Sequence, residues 1–158
     1  MNEAVLIDVS LHFPVLKGRW YLLSKDYADD CIKTFALDRI HELEITKKKF
    51  NYPSDMNSND YFKNCFGIIA SHEADPEEII LSFEPFQGKY IKSYPLHESQ
   101  KILIDNETEL QVSLYLYETY DLIMELLSFG ATMKVIQPRS LIEAISGIVE
   151  NMNQLYSK

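Results

Sequence analysis

The chain has 158 residues, nearly half of them apolar, which is enough for one domain or two small ones with a real core. Its formal charge of −9 is uneven: residues 1–71 carry 9 Lys and Arg against 10 Asp and Glu, whereas residues 72–158 carry 6 against 14. That acidity repels a DNA duplex at long range, and no run of about 18 apolar residues offers a membrane span.

The predicted elements of the first half are strands. Residues 5–16 alternate imperfectly, and Pro14 suits a strand end. Trp20 to Ser24 is a strongly β-prone run, Tyr27 to Asp30 is polar enough to turn, and Cys31 to Leu37 returns as the partner strand. Ile40 to Ile45 is read as a further strand and Asn51 to Asn59 as a loop. Asp60 to Gly67 reads as a short helix stopped by its glycine. The polar stretch Ser71 to Pro76, where the composition shifts, marks a linker.

The second half alternates strand and helix. Strands are expected at Glu78–Phe83, His97–Ile104, Gln111–Tyr117 and Met133–Ile136. Helices are expected from Pro85 to about Tyr94 and from Thr119 to Phe129, the latter turning Leu122, Ile123, Leu126 and Leu127 inward. Pro138 and a capping box formed by Ser140 and Glu143 would open a last helix, whose apolar stripe is Leu141, Ile145, Ile148, Met152 and Leu155. The order is βαββαβ plus a terminal helix, the ferredoxin-like arrangement.

Motifs for bond chemistry are missing. The five glycines never cluster into a phosphate loop, and the four histidines are scattered (12, 41, 72 and 97). Neither a metal nor a cofactor is expected, and carboxylate pairs such as Glu77 and Glu78 read as solvated surface. Cys31 and Cys65 have no metal-type spacing, and the N-terminus lacks a signal peptide's basic and apolar regions, so reduced thiols and a cytoplasmic location are expected. The chain reads as a binding protein, not an enzyme.

The hairpin at 17–40 is the candidate site. By strand alternation Trp20 and Leu22 point one way, Arg19 and Tyr21 the other, while Lys33, Phe35, Leu37 and Arg39 share a face. If Arg19 and Tyr21 meet Lys33 and Arg39, three cations surround an aromatic ring. That combination suits a single-stranded nucleic acid or an anionic small ligand. Trp20, Leu22 and Phe35 are expected in the core. Arg39 has a second reading, an ion pair with Asp38 or Glu42, and Tyr21 stays open between structure and ligand.

The hairpin resembles the signature of the WYL domain. Trp20-Tyr21-Leu22 matches the triplet that names the family, and Lys33, Phe35 and Leu37-Asp38-Arg39-Ile40 match its second signature. Ala36 stands where the family usually has Arg. Tyr61-Phe62 with Phe66-Gly67-Ile68 is similar to the helix that ends such domains, and Pro76 to Tyr156 resembles the extension that follows them. The resemblance implies an α+β chain: a small Sm-like, SH3-type β-barrel over 1–71, then a ferredoxin-like βαββαβ unit with a C-terminal helix over 76–158. It also implies a bacterial transcriptional regulator whose WYL unit senses a ligand, here through Arg19, Tyr21, Lys33 and Arg39, and which works as a homodimer. Nothing before Leu11 supplies the family's helix-turn-helix. The expectation is therefore an excised module, a truncated product or a stand-alone relative that does not read duplex DNA. The alternative is a protein-interaction or dimerisation module, using the sheet face of Ser113, Tyr115 and Tyr117 or the terminal helix stripe.

Overall fold

The computed structural model describes residues 4–5, 19–26, 31–42, 44, 47, 58–70 and 74–157. Most of the alternating run 5–16, the turn at 27–30, most of the loop at 51–59 and linker residues 71–73 lie outside them. The fold is α+β, with two antiparallel sheets, and the chain divides into two compact units, Met1–Lys63 and Asn64–Lys158.

In the first unit, β1 (Ala4–Val5), β2 (Tyr21–Asp26) and β3 (Cys31–Ala36) form an antiparallel sheet with β2 in the middle. Leu22 and Leu23 project from opposite faces of β2 and both are buried, so this central strand is covered on both sides. The short helix α1 (Ser58–Phe62) is tied to β3 by the Tyr61 hydroxyl, which donates to the Ile32 carbonyl at 3.3 Å. The helix stops well before Gly67, whose role lies elsewhere. No strand follows β3 among the described residues 40–42 and 44. Instead Leu37–Arg39 wind into a 3-10 turn, and Glu42 adopts a left-handed φ of 55°, which breaks an extended run.

The second unit runs β4 (Glu77–Phe83), α2 (Pro85–Ser93), β5 (Lys101–Asp105), β6 (Leu110–Leu116), α3 (Tyr120–Ser128), β7 (Met133–Gln137) and α4 (Arg139–Tyr156). Its sheet order is β5-β6-β4-β7, every pair antiparallel. Ile79, Leu81 and Phe83 of β4 stand opposite Leu114, Val112 and Leu110 of β6, and all six are fully buried. Ile91 of α2, Leu122 and Leu126 of α3 and Leu141 of α4 complete this core on one side of the sheet. The helices lie on that side because the central strands β4 and β6 alternate apolar residues there with Glu78, Ser82 and Gln111 on the other. Gly88 lets α2 come close: a Cβ there would stand 2.8 Å from the Leu110 Cβ.

Two expectations are corrected here. The strand foreseen from His97 begins only at Lys101. Residues 96–100 form a turn instead, because their polar side chains take up the backbone groups a strand would pair. Gln100 Oε1 accepts the Leu96 N–H at 2.9 Å, Gln100 Nε2 donates to the Ile91 carbonyl at 3.3 Å, and the Ser99 N–H donates to His97 Nδ1 at 3.1 Å. The capping box at α4 does not form. Pro138 is the N-cap, Ser140 sits inside the helix and donates to Glu118 at 2.7 Å, and Glu143 takes the Arg139 guanidinium at 2.7 Å.

Candidate ligand site on the first unit

The register of β2 against β3 decides which side chains meet. Directly opposed residues of an antiparallel pair share a face. Tyr21 opposes Ala36 and Ser24 opposes Lys33. Tyr21 and Ser24 are an odd step apart along β2, so Tyr21 and Lys33 project from opposite faces. The foreseen ring of cations around Tyr21 is not assembled. Arg39 does not share the Lys33 face by alternation either, since β3 ends at Ala36 and Arg39 belongs to the 3-10 turn.

A different group gathers where β3 leaves the sheet. The Leu37 N–H donates to the Trp20 carbonyl at 2.9 Å, adding one bond beyond the ladder and holding the turn beside Arg19 and Trp20. Arg19 Nε lies 3.6 Å from Asp38 Oδ2, with both side chains about half exposed. So Asp38 takes Arg19 as its partner. Arg39 is exposed and has no ion pair among the described residues. Trp20, expected in the core, is 51% exposed. It precedes β2 instead of lying within it, and the buried positions of that strand are filled by Leu22, Leu23 and Ser24. The backbone bond and the ion pair thus bring together, at the end of the hairpin, the segments carrying Arg19, Trp20, Asp38 and Arg39: an exposed indole and two exposed or half-exposed guanidinium groups, one of them held by a carboxylate. The sequence signal for it is the charged run Lys17-Gly18-Arg19 immediately before the tryptophan, which places the ring at a strand end instead of a strand centre.

Chemically this cluster can hold an anion carrying a flat apolar group. The guanidinium fork meets phosphate or carboxylate oxygens, and the indole offers a stacking face. It contains no nucleophile and base in contact. Among the described residues no group of three His, Cys, Asp or Glu side chains could hold a metal ion. A Ser–His contact does occur in the second unit, where Ser99 Oγ lies 2.9 Å from His97 Nδ1. Its atoms are committed to the turn: Ser99 Oγ accepts the Tyr115 N–H at 2.9 Å, and Nδ1 also accepts the Ser99 N–H. Burial, opposed in part by Glu98, holds this imidazole below its ordinary pKa. Cys31 and Cys65 are not joined in a disulfide.

The second unit carries an apolar cavity of about 630 Å³ between the end of α3, β7 and α4, lined by Leu126, Met133, Val135, Ile145, Met152 and Tyr156 among others. Only Leu141 of α4 is fully buried, and its last two turns leave Leu155 76% and Tyr156 84% exposed. Among the described residues no helix is long and apolar enough to cross a membrane.

Residues 75–152 match the model of the WCX domain. The second half of the chain thus resembles the WCX domain, the unit that forms the C-terminal part of WYL-type regulators, which are transcription regulators. Among solved structures the chain is similar to proteasome accessory factor B/C (PafBC) of Arthrobacter aurescens, at 21% identity and a TM-score of 0.33, over 81% of this chain. The chain spans 19% of the length of that protein. No curated protein matches the chain.

Proposed function

We propose that this chain is the effector-sensing part of a WYL-type transcriptional regulator, and that its first unit takes a single-stranded nucleic-acid fragment or a similar anionic ligand with a planar base. The observation that carries this reading is the exposed indole of Trp20, next to Arg19 in the chain, with the turn that carries the exposed Arg39 bonded to the Trp20 carbonyl through the Leu37 N–H. Stacking tolerates any base and the guanidinium groups take the phosphates, so affinity here depends on contact and not on duplex geometry. Tyr21 borders the cluster through its place at the start of β2, and Lys33 serves the opposite face of the sheet. The WCX match supports the regulator context, and the strand order β5-β6-β4-β7 with a βαββαβ connection supports a ferredoxin-like second unit. The antiparallel β1-β2-β3 sheet supports reading the first unit as a small Sm-like barrel. The test is fluorescence anisotropy of a labelled oligothymidylate at low salt. Saturable binding weakened in Trp20→Ala supports the reading, and absence of binding at low salt refutes it.

A second reading rests on the C-terminal half of α4. Val149, Met152 and Tyr156 at the cavity rim, with Leu155 exposed beside them in the helix, form an exposed apolar stripe, the sort of surface that a second copy of the chain buries in a homodimer. A mass that rises with concentration and falls to the monomer in Leu155→Glu supports it. A monomeric mass at every concentration rejects it.

A further inference from the structure

The chain passes from the first compact unit to the second at Lys63 and Asn64. The residues just after that join are not a slack tether. The Asn64 carbonyl accepts the Tyr117 N–H at 2.9 Å, one step beyond the end of β6. Cys65 is buried, and Phe66 packs against the core of the second unit. A single oxygen, Asp121 Oδ2 in the first turn of α3, accepts the backbone N–H of Ile68 at 3.0 Å and of Ile69 at 3.3 Å. Gly67 makes this approach feasible: a Cβ there would collide with the Asp121 carboxylate, its Cγ being 2.8 Å away. Burial, with the charge of Asp121 adding to it, pushes the Cys65 thiol up to about 11, as expected for a thiol enclosed beside a carboxylate.

We propose that Asp121 is a latch that makes the connector 64–69 part of the second unit, so that a change in the first unit is delivered to the N-terminal turn of α3. The physical reason is the charge on the acceptor. A carboxylate holding two adjacent backbone N–H groups binds them more strongly than neutral acceptors do, and it also satisfies donors that the irregular connector leaves outside any ladder. The C-terminal end of the same helix supplies Leu126 to the cavity wall, so a shift of α3 also reshapes the groove under α4. The regulatory purpose of the latch rests on the sensing role proposed above, but its existence does not.

The test uses the full chain and amide hydrogen exchange, with no ligand. Asp121→Ala should speed exchange at Ile68 and Ile69 about tenfold or more while the amides of β4 and β6 keep their protection; Asp121→Asn, which retains one acceptor oxygen, should fall between. Leu22→Ala, which loosens the core of the first unit, should speed exchange at Ile123, whose N–H is bound to Thr119 at the start of α3. In the Asp121→Ala background that response at Ile123 should vanish. The latch is overturned if Ile68 and Ile69 are unaffected by Asp121→Ala. Its coupling role is overturned if Ile123 responds to Leu22→Ala equally with and without the carboxylate. Loss of oligonucleotide binding in the anisotropy test would refute the sensing role and leave both of these results standing.

Discussion

Replacing Arg39 by alanine removes one of the two guanidinium groups assigned to the hairpin-end site and leaves the other paired with Asp38. Each phosphate neutralised on a single strand contributes about −0.7 to the slope of log K against log salt. Two contacts, from Arg19 and Arg39, give a slope of about −1.4, so a fourfold rise in salt weakens binding roughly sevenfold. In Arg39→Ala the slope should halve, and the same rise in salt should weaken binding only about two- to threefold. Lys33→Ala should leave the slope unchanged, because the register puts Lys33 on the face away from Tyr21 and its β2 position is opposite Ser24. Trp20→Ala should do the reverse of Arg39→Ala: it lowers affinity by about 1–3 kcal/mol per stacked base with little change in slope. Anisotropy titrations of a labelled oligothymidylate at several salt concentrations read all three variants. A slope that Arg39→Ala leaves intact, or that Lys33→Ala halves, refutes the placement of the site at the end of the hairpin.

Asp38→Asn should strengthen oligonucleotide binding a few-fold, since an exposed ion pair contributes less than about 1 kcal/mol and its loss frees Arg19 for the ligand; the same titration measures it. Gly88→Ala should destabilise the second unit by about 1–2 kcal/mol despite the better helix propensity of alanine, because the clash is with the Leu110 Cβ and cannot be relieved by a rotamer; a higher urea midpoint would contradict the close approach. Thr119→Val should be neutral or stabilising by up to about 1 kcal/mol, as the buried Thr119 hydroxyl has no hydrogen-bond partner among the described residues, and thermal unfolding followed by circular dichroism reads the sign. Stability should be flat above the ordinary histidine pKa of 6.5 and fall as pH drops through and below it, because the unfolded chain takes up the proton that half-buried His97 resists; urea midpoints of the native chain and His97→Gln, compared above and below that pH, should show the step only in the native chain.

The second unit was largely legible in the sequence because its cues were redundant. Glu77–Phe83 and Leu110–Leu116 alternate cleanly, and their inward residues are the fully buried ones. Leu122 and Leu126 fall at helical spacing and do form the core. What failed were local side-chain bonds that no periodicity encodes. The β-prone run after His97 was read through a turn built by Gln100 and Ser99, and Ser140 with Glu143 matched a capping box while each bonded elsewhere. The hairpin itself was visible, with Tyr21 to Asp26 paired to Cys31 to Ala36. Its site was misread because alternation was carried past Ala36 into a 3-10 turn. The same assumption hid Trp20, which a composition-based prior buries and a strand-end position exposes. Nothing in the spacing of Gly67 and Asp121 foretold their contact, since it joins residues from either side of β4 to β6.

The acidity of the chain bears on what the hairpin can bind. Residues 72–158 carry a net excess of acidic over basic groups, 14 against 6, which disfavours any long polyanion through forces that act over about 10 Å. A short strand carries few phosphates for that field to act on, whereas a long strand or a duplex carries many. Contact terms, stacking and one or two charge-assisted bonds, then set the affinity, and the long-range term sets the length limit. Binding should therefore weaken, not strengthen, once an oligonucleotide grows past the few nucleotides the hairpin end can seat, and low salt should sharpen that decline because it lengthens the reach of the repulsion. A series of oligothymidylates of increasing length, titrated at two salt concentrations, decides it. Affinity per site that climbs steadily with length would mean that the acidic unit does not oppose the ligand, and the hairpin end would then be only part of a longer basic track.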